Sequence, residues 1–239
     1  MLEFLNLDNV LFLDIETVPA YAGYEQMPDN FKKLWSKKAE FIHKKPEDTP
    51  ATLYSRSGIF AEFGKIICIS TGVLKSTEKK KKFVIKSFYG DDEKKVLTEF
   101  AQLLNLNFNK KENLLCSHNG KEFDYPFLSR RMMIHGVKLP LLLDLAGKKP
   151  WEVSLIDTME LWKFGDYKNY TSLELLAAIF NIPTPKDDIE GSDIARVYYE
   201  EKNMERIVNY CQKDVMAVAR LLLRYQGKEM FKDEDMMIS

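Results

Sequence analysis

The sequence has few cysteines, few histidines, almost no net charge and no long apolar run. Its three cysteines, Cys68, Cys116 and Cys211, are odd in number, sit in apolar surroundings and lack Cys-x-x-Cys spacing. That argues against a disulfide framework or a cysteine zinc site, and for reduced thiols inside a cell. With 35 Lys and Arg against 36 Asp and Glu, the formal net charge is -1. A broad basic surface that coats nucleic acid by charge alone is therefore excluded, and any polyanion must be handled locally. No apolar stretch reaches the roughly 18 residues of a membrane span. The first eight residues carry no positive region of the kind that opens a signal peptide, so a soluble, cytoplasmic protein is expected. Repeats and low-complexity linkers are also missing. The 239 residues, 45% hydrophobic, fit one domain over 1–239.

What the chain does have is a conspicuous strand. Residues 10–18, Val-Leu-Phe-Leu-Asp-Ile-Glu-Thr-Val, run four apolar residues into two acids, the pattern of a strand buried on both faces. Side chains alternate along a strand, so Asp14 and Glu16 share the face that carries Val10 and Phe12. Ionised carboxylates side by side on an apolar wall are costly unless a cation neutralises them, and carboxylate oxygens suit hard divalent cations. The bland alternative is that both acids cap the strand's solvent-exposed end.

Residues 20–63 are too long for an ordinary connection and read as an inserted helical segment. Asp29 is placed to cap a helix carrying Phe31, Leu34, Trp35 and Phe41, with interleaved lysines that suit either a single-stranded nucleic-acid groove or an ordinary solvated face. Two strands follow at 65–74 and 83–89, with Lys79, Lys80, Lys81 and Lys82 at the tip between them, where charge protects an edge. Asp91 and Asp92 open an amphipathic helix through Val96, Leu97, Phe100, Leu103 and Leu104. A short strand at 114–117 delivers the chain to Asn119 and Asp124. Asp124 is either a second site acid or the cap of the helix that continues toward Gly136. Asp157, the last residue of a strand at 154–157, reads as a structural cap with Glu160. Thr171 or Ser172 caps a helix of Leu173, Leu175, Leu176, Ala177 and Ile179, ended by Pro183 and Pro185, and a polar loop fills 185–192. The last helix, about 204–224, presents Ile207, Cys211, Val215, Val218 and Leu222 as an apolar stripe. Asp214 lies beside that stripe, one turn after Tyr210, and a carboxylate there needs a partner. The charged tail beyond Gly227 reads as frayed.

Taken in order, Asp14-x-Glu16, Asn119-x-x-x-Phe123-Asp124 and Tyr210-x-x-x-Asp214 resemble the three motifs of the DEDDy branch of the DnaQ-like exonucleases. Within it, the chain is most similar to the predicted 3′-5′ exonucleases related to the proofreading domain of family-B DNA polymerases. The stretch 171–192 is similar too. The sister branch carries a His where this chain has Asn209. The resemblance implies an α/β, ribonuclease-H-like fold: a mixed five-stranded sheet with helices on both faces, its first three strands antiparallel neighbours. It implies a 3′-5′ exonuclease acting on single-stranded DNA or RNA ends, with two Mg²⁺ or Mn²⁺ ions. Asp14 would bridge both ions, Glu16 and Asp214 hold the first, and Asp124 reach the second largely through water. Tyr210 would orient the attacking water, and Asn119, Phe123 and Tyr125 would contact the terminal nucleotide. Two rivals fit less of the chain: an inactive nucleic-acid-binding module on this fold, and a haloacid-dehalogenase-type phosphatase, which leaves Tyr210 and Asp214 idle.

Overall fold

The structure is a computed structural model, and it describes residues 2, 5–76, 81–166, 170–183 and 189–239. Strand β1, Val10–Pro19, is the centre of a mixed sheet. It pairs antiparallel with β2, Gly64–Ser76, and parallel with β4, Leu114–Ser117. Strand β3, Lys81–Tyr89, continues the antiparallel run, and β5, Leu155–Asp157, lies parallel beyond β4. The first three strands are therefore antiparallel neighbours, as expected.

Among the described residues the sheet has six strands, not five. Met236–Ile238 in the tail forms β6, parallel to β3, and gives the order β5-β4-β1-β2-β3-β6. Phe231 anchors this tail by stacking on Phe83 with centroids 4.5 Å apart. Arg220, buried in the last helix, donates to the Phe231 carbonyl and pairs with Asp233 at 2.5 Å. A few anchoring contacts thus convert a charged tail into a sheet edge.

Alternation along β1 divides the core. Leu11, Leu13 and Ile15 face helices α2, Glu93–Asn107, and α3, Asp124–Ile134; Val10 and Phe12 face helix α7, Met204–Tyr225, through Val215, Val218 and Leu222. Helices thus cover both faces. Asp92 caps α2 by accepting from the Lys95 N–H, and Asn203 caps α7 by accepting from that of Arg206. None of the helices among the described residues is long and apolar enough to cross a membrane.

The segment 20–63 holds α1, Asp29–Ile42, and a 3₁₀ run, Thr52–Ile59. Its centre is Trp35, fully buried, whose indole donates to the Pro50 carbonyl and whose ring meets Tyr54, Phe60 and Phe63. Pro28 rather than Asp29 occupies the cap position. Leu34 and Phe41 are exposed, because only one stripe of α1 meets this small cluster. Lys32 pairs with Glu25 and Lys38 lies over the Phe60 ring.

The remaining elements are short: α4, Thr158–Lys163; α5, Leu173–Ile179, capped by Ser172; and α6, Ile194–Arg196, which runs into a π-helical turn, Val197–Glu201. In α5, Leu176 and Ala177 are buried while Leu175 and Ile179 stand about half exposed. The helix is too short to hide a wider stripe. Of the lysine tip, Lys79 and Lys80 lie outside the described residues, as do Pro185 and the adjoining loop through 188.

Candidate active site

The acids meet where β1 outruns β4. The parallel ladder ends at Phe12 opposite Cys116, while β1 continues through Asp14 and Glu16. Backbone beyond that point needs another partner, and Asp124 supplies one: its carboxylate accepts the Ile15 N–H. Asp124 is the first residue of α3, with Phe123 at the cap position, so the simple capping reading does not describe it. Directly after Glu16 the pairing with β2 shifts register, Glu16 facing Cys68 and Thr17 facing Ile66. Bulges of this kind re-aim side chains near functional sites.

Loop 118–123 brings Asp124 to β1. Asn119 adopts a left-handed φ of 60°. Gly120 is required by crowding, since a Cβ there would lie 1.6 Å from Ser117 Oγ and 3.1 Å from the Tyr125 ring. Asp157 holds the loop by accepting the N–H groups of Asn119 and Lys121, and caps α4 by accepting those of Met159 and Glu160. Its oxygens are fully used, which makes it the structural residue expected. Glu160 turns away to Lys121. His118 is also committed, one ring nitrogen to Thr158 and the other to the Thr171 carbonyl; burial holds its pKa below the usual range.

Helix α7 completes the cluster. The Tyr210 hydroxyl hydrogen-bonds the Asp214 carboxylate, and the Cys211 thiol donates to Asp14 Oδ2 at 3.3 Å. Glu16 is 7% and Asp124 3% exposed, with Asp14 partly open. Burial pushes Asp14 well above the carboxylate range, and the charges of Asp214 and Asp124 push further. Glu16 is raised likewise, by burial and then by Asp14 and Asp214. Asp124 is pushed up to about 7, chiefly by burial. Burial, and next the neighbouring acids, raise Tyr210 above its ordinary value, so its hydroxyl stays protonated. Each of these groups feels the others, and no side-chain cation pairs with Asp14, Glu16 or Asp124 among the described residues.

The donor set fits a divalent cation. Asp124 Oδ1 is buried without a hydrogen-bond partner, as is Asn119 Oδ1, and such atoms are costly unless something meets them. Single ligand atoms of Asp14, Glu16 and Cys211 lie within 4.8 Å of one another. Unpaired, mutually repelling carboxylates with an orphaned oxygen are what an oxygen-seeking cation neutralises.

The expected nucleotide contacts divide. Asn119 stands at the rim, and Phe123 is half-buried against Phe127. Tyr125 is different: it is fully buried and its hydroxyl donates to the Ile156 carbonyl at 2.9 Å. That places it in the core, with no surface for a substrate. Two features were not foreseen. One is the Cys211 contact to Asp14, which the apolar stripe of α7 concealed. The other is a cavity of about 310 Å³ beside Tyr210, lined by Asn203, Arg206, Asn209 and Lys213 among others; the spacing 206, 209/210, 213 on one helix was the available signal.

Comparison with known proteins follows the same geometry. A family model described as a predicted 3′-5′ exonuclease related to the exonuclease domain of PolB matches residues 59–236. The match covers Asp124, Tyr210 and Asp214 but starts after β1, within the last residues of the segment 20–63. The chain is 25% identical over 155 residues to a DNA polymerase of Pyrococcus glycovorans, covering 59% of this chain and 19% of that one. A DNA polymerase of Desulfurococcus sp. strain Tok gives the same identity and coverage. DNA polymerase 1 of Pyrococcus abyssi is 26% identical over 141 residues, 52% of this chain and 17% of the relative. The chain thus spans less than a fifth of the length of these relatives.

Proposed function

The chain belongs to the predicted 3′-5′ exonucleases related to the exonuclease domain of PolB, and from that premise we propose that it removes nucleotides one at a time from the 3′ end of a single strand. DNA is the preferred substrate class, nucleoside 5′-monophosphates are the products, and residues 1–239 act as one unit with 20–63 inserted. The observation that carries this reading is the convergence of Asp14, Glu16, Asp124 and Asp214 on one largely enclosed patch, with no protein cation at the first three among the described residues.

Asp14, Glu16, Asp124 and Asp214 would hold two Mg²⁺ or Mn²⁺ ions. Such a pair neutralises the developing charge on the attacking and leaving oxygens of an in-line phosphodiester displacement. The protein's own part is positional. With its proton directed to Asp214, the Tyr210 oxygen keeps its lone pairs for the hydrogens of a water, orienting it for attack rather than deprotonating it. Asn119, standing at the rim, would meet the terminal nucleotide through its exposed atoms, and the Phe123 ring offers a flat face to its base. An acid cluster needs local positive charge to admit a polyanion, and Arg206 and Lys213 line the cavity beside Tyr210. A phosphatase that used only the β1 acids would leave Tyr210 and Asp214 without a role, although they act on those acids electrostatically.

The test uses labelled single strands of DNA and RNA with Mg²⁺, Mn²⁺ or EDTA. A ladder shortening from the 3′ end, stopped by EDTA and by a 3′ block, is expected. A circular single strand cut as fast as a linear one would exclude the 3′-end reaction.

A further inference from the structure

We propose that the sheet carries, beyond the end of α2, a docking groove for a partner protein, filled by a short segment of that partner in which apolar side chains are flanked by Asp or Glu. The groove follows from a mismatch of lengths. Helix α2 has 15 residues, which makes it about 22 Å long. Glu93 holds its start at the Ile66 N–H, and at about 3.4 Å per strand residue the helix covers roughly six residues of β2. Its cover therefore ends near Gly72, while β2 and β3 continue. At that point lies a cavity of about 460 Å³ whose lining includes Val73, Val84, Leu103 and Phe108.

Strand register sorts this surface into rungs. Val73 lies opposite Val84, and Val84 opposite Met237 of β6, so an apolar rung crosses three strands. Val73 and Val84 are half-buried and Met237 is 47% exposed. The rungs on either side are cationic: Lys75 lies opposite Lys82, and Lys86 opposite Thr71. Lys110, in the loop after α2, joins Lys75 and Lys86 in the lining, against Asp8 as its one acid. Among the described residues no ion pair is formed by Lys75, Lys82, Lys86 or Lys110. Like charges directly opposite weaken a strand pair, so Lys75 and Lys82 carry a cost that an acidic partner would relieve.

Charge chooses the occupant. The chain as a whole has a net charge of -1, so an excess of lysine around an apolar gap is a local signal. The apolar lining is aliphatic apart from Phe108, whereas a nucleic-acid strand is gripped by successive aromatic faces. Apolar side chains of the partner would fill the gap, and its flanking carboxylates would meet Lys75 and Lys82 on one side and Lys86 on the other. None of these residues belongs to the acid cluster or to the cavity beside Tyr210.

A displayed library of short random peptides, panned on the whole chain, tests this. One enriched peptide is then labelled with fluorescein for anisotropy beside labelled oligothymidine. Enrichment of apolar residues flanked by acids is expected, with binding that weakens as salt rises. Combining Lys75→Glu, Lys86→Glu and Lys110→Glu should weaken that binding at least about 10-fold and leave nuclease activity unchanged. If the combined variant does not fold, the unaltered protein decides: the peptide should shield Lys75, Lys86 and Lys110 from acetylation by an amine-reactive ester, read by mass spectrometry. No enrichment, enriched peptides without acids, binding undiminished in the variant, or acetylation unchanged by the peptide overturns the proposal. So does oligothymidine binding that the variant loses, which would make the groove a nucleic-acid track.

Discussion

Glu93 on the one hand and Asp14, Glu16 and Asp124 on the other are enclosed acids beside one sheet, and they have opposite fates. Glu93 begins α2 and is 6% exposed. It accepts from Arg131 Nε at 2.8 Å and Nη2 at 2.5 Å, from the Ile66 N–H at 2.8 Å, and lies 2.6 Å from His135 Nε2. Burial alone would raise its pKa, but Arg131 and the Ile66 N–H outweigh burial and hold it below the ordinary value. Asp14, Glu16 and Asp124 are comparably enclosed and shift the other way. Burial therefore does not separate a structural acid from a site acid; pairing does. Glu93 ties α2 to α3 and, through Arg131, to the Ala61 carbonyl at the end of the inserted segment. Among the described residues, Asp14, Glu16 and Asp124 are tied by little except the Ile15 N–H and the Cys211 thiol, and remain available.

The comparison can be broken from either side. Asp214→Asn should have the largest effect on function, nearly abolishing turnover and weakening metal binding, with partial recovery in excess Mn²⁺; a nuclease time course beside a calorimetric metal titration reads both. On the paired side, Arg131→Met strands Glu93, and denaturant unfolding should show a loss of about 3–5 kcal/mol. Adding Glu93→Gln to Arg131→Met should return much of that loss, while Mn²⁺ affinity stays put throughout. Smaller still, Tyr210→Phe removes one hydroxyl and no carboxylate. Turnover should fall roughly 10- to 1000-fold at near-normal metal affinity; full activity would leave Tyr210 a packing residue.

The smallest effect is on stability against pH, where the two groups should slope in opposite directions. Glu93 has a folded pKa below its ordinary 4.5, so its contribution is present above that value and lost as pH falls through the lower folded one. Asp124 rises from 3.8 to about 7 without metal. Its contribution is complete below 3.8 and lost as pH rises through 7. Thermal melts of metal-free protein should therefore soften as pH rises from 3.8 toward 7 and level off above that, and Mn²⁺ should abolish that softening. Asp124→Asn should flatten the same limb.

Much of this was legible in the sequence, and the exceptions have physical causes. β1 announced itself because a doubly buried strand needs an unbroken apolar run, and the two acids that follow that run within it break a rule that only a function excuses. Asp214 was visible for the same reason on α7. Asp124 was ambiguous because one carboxylate at a helix start can cap or ligate, and only the open edge of β1 decides. Tyr125 misled because proximity to Asp124 in sequence says nothing about which way a ring points; its hydroxyl found Ile156 in the core. The Glu93 triad was invisible, since 38 residues separate Glu93 from Arg131. β6 was hidden in a charged tail whose pairing depends on Phe231 and Arg220 rather than on its own composition.

The central claim is that the unpaired acids are a divalent-cation site. Calorimetric titration of the metal-free chain with Mn²⁺ near pH 7, in two buffers of different ionisation enthalpy, measures affinity and released protons together. The account predicts saturable binding with net proton release from the acid cluster, and loss of most of both in Asp14→Asn. No binding, or binding undiminished in Asp14→Asn, would contradict it.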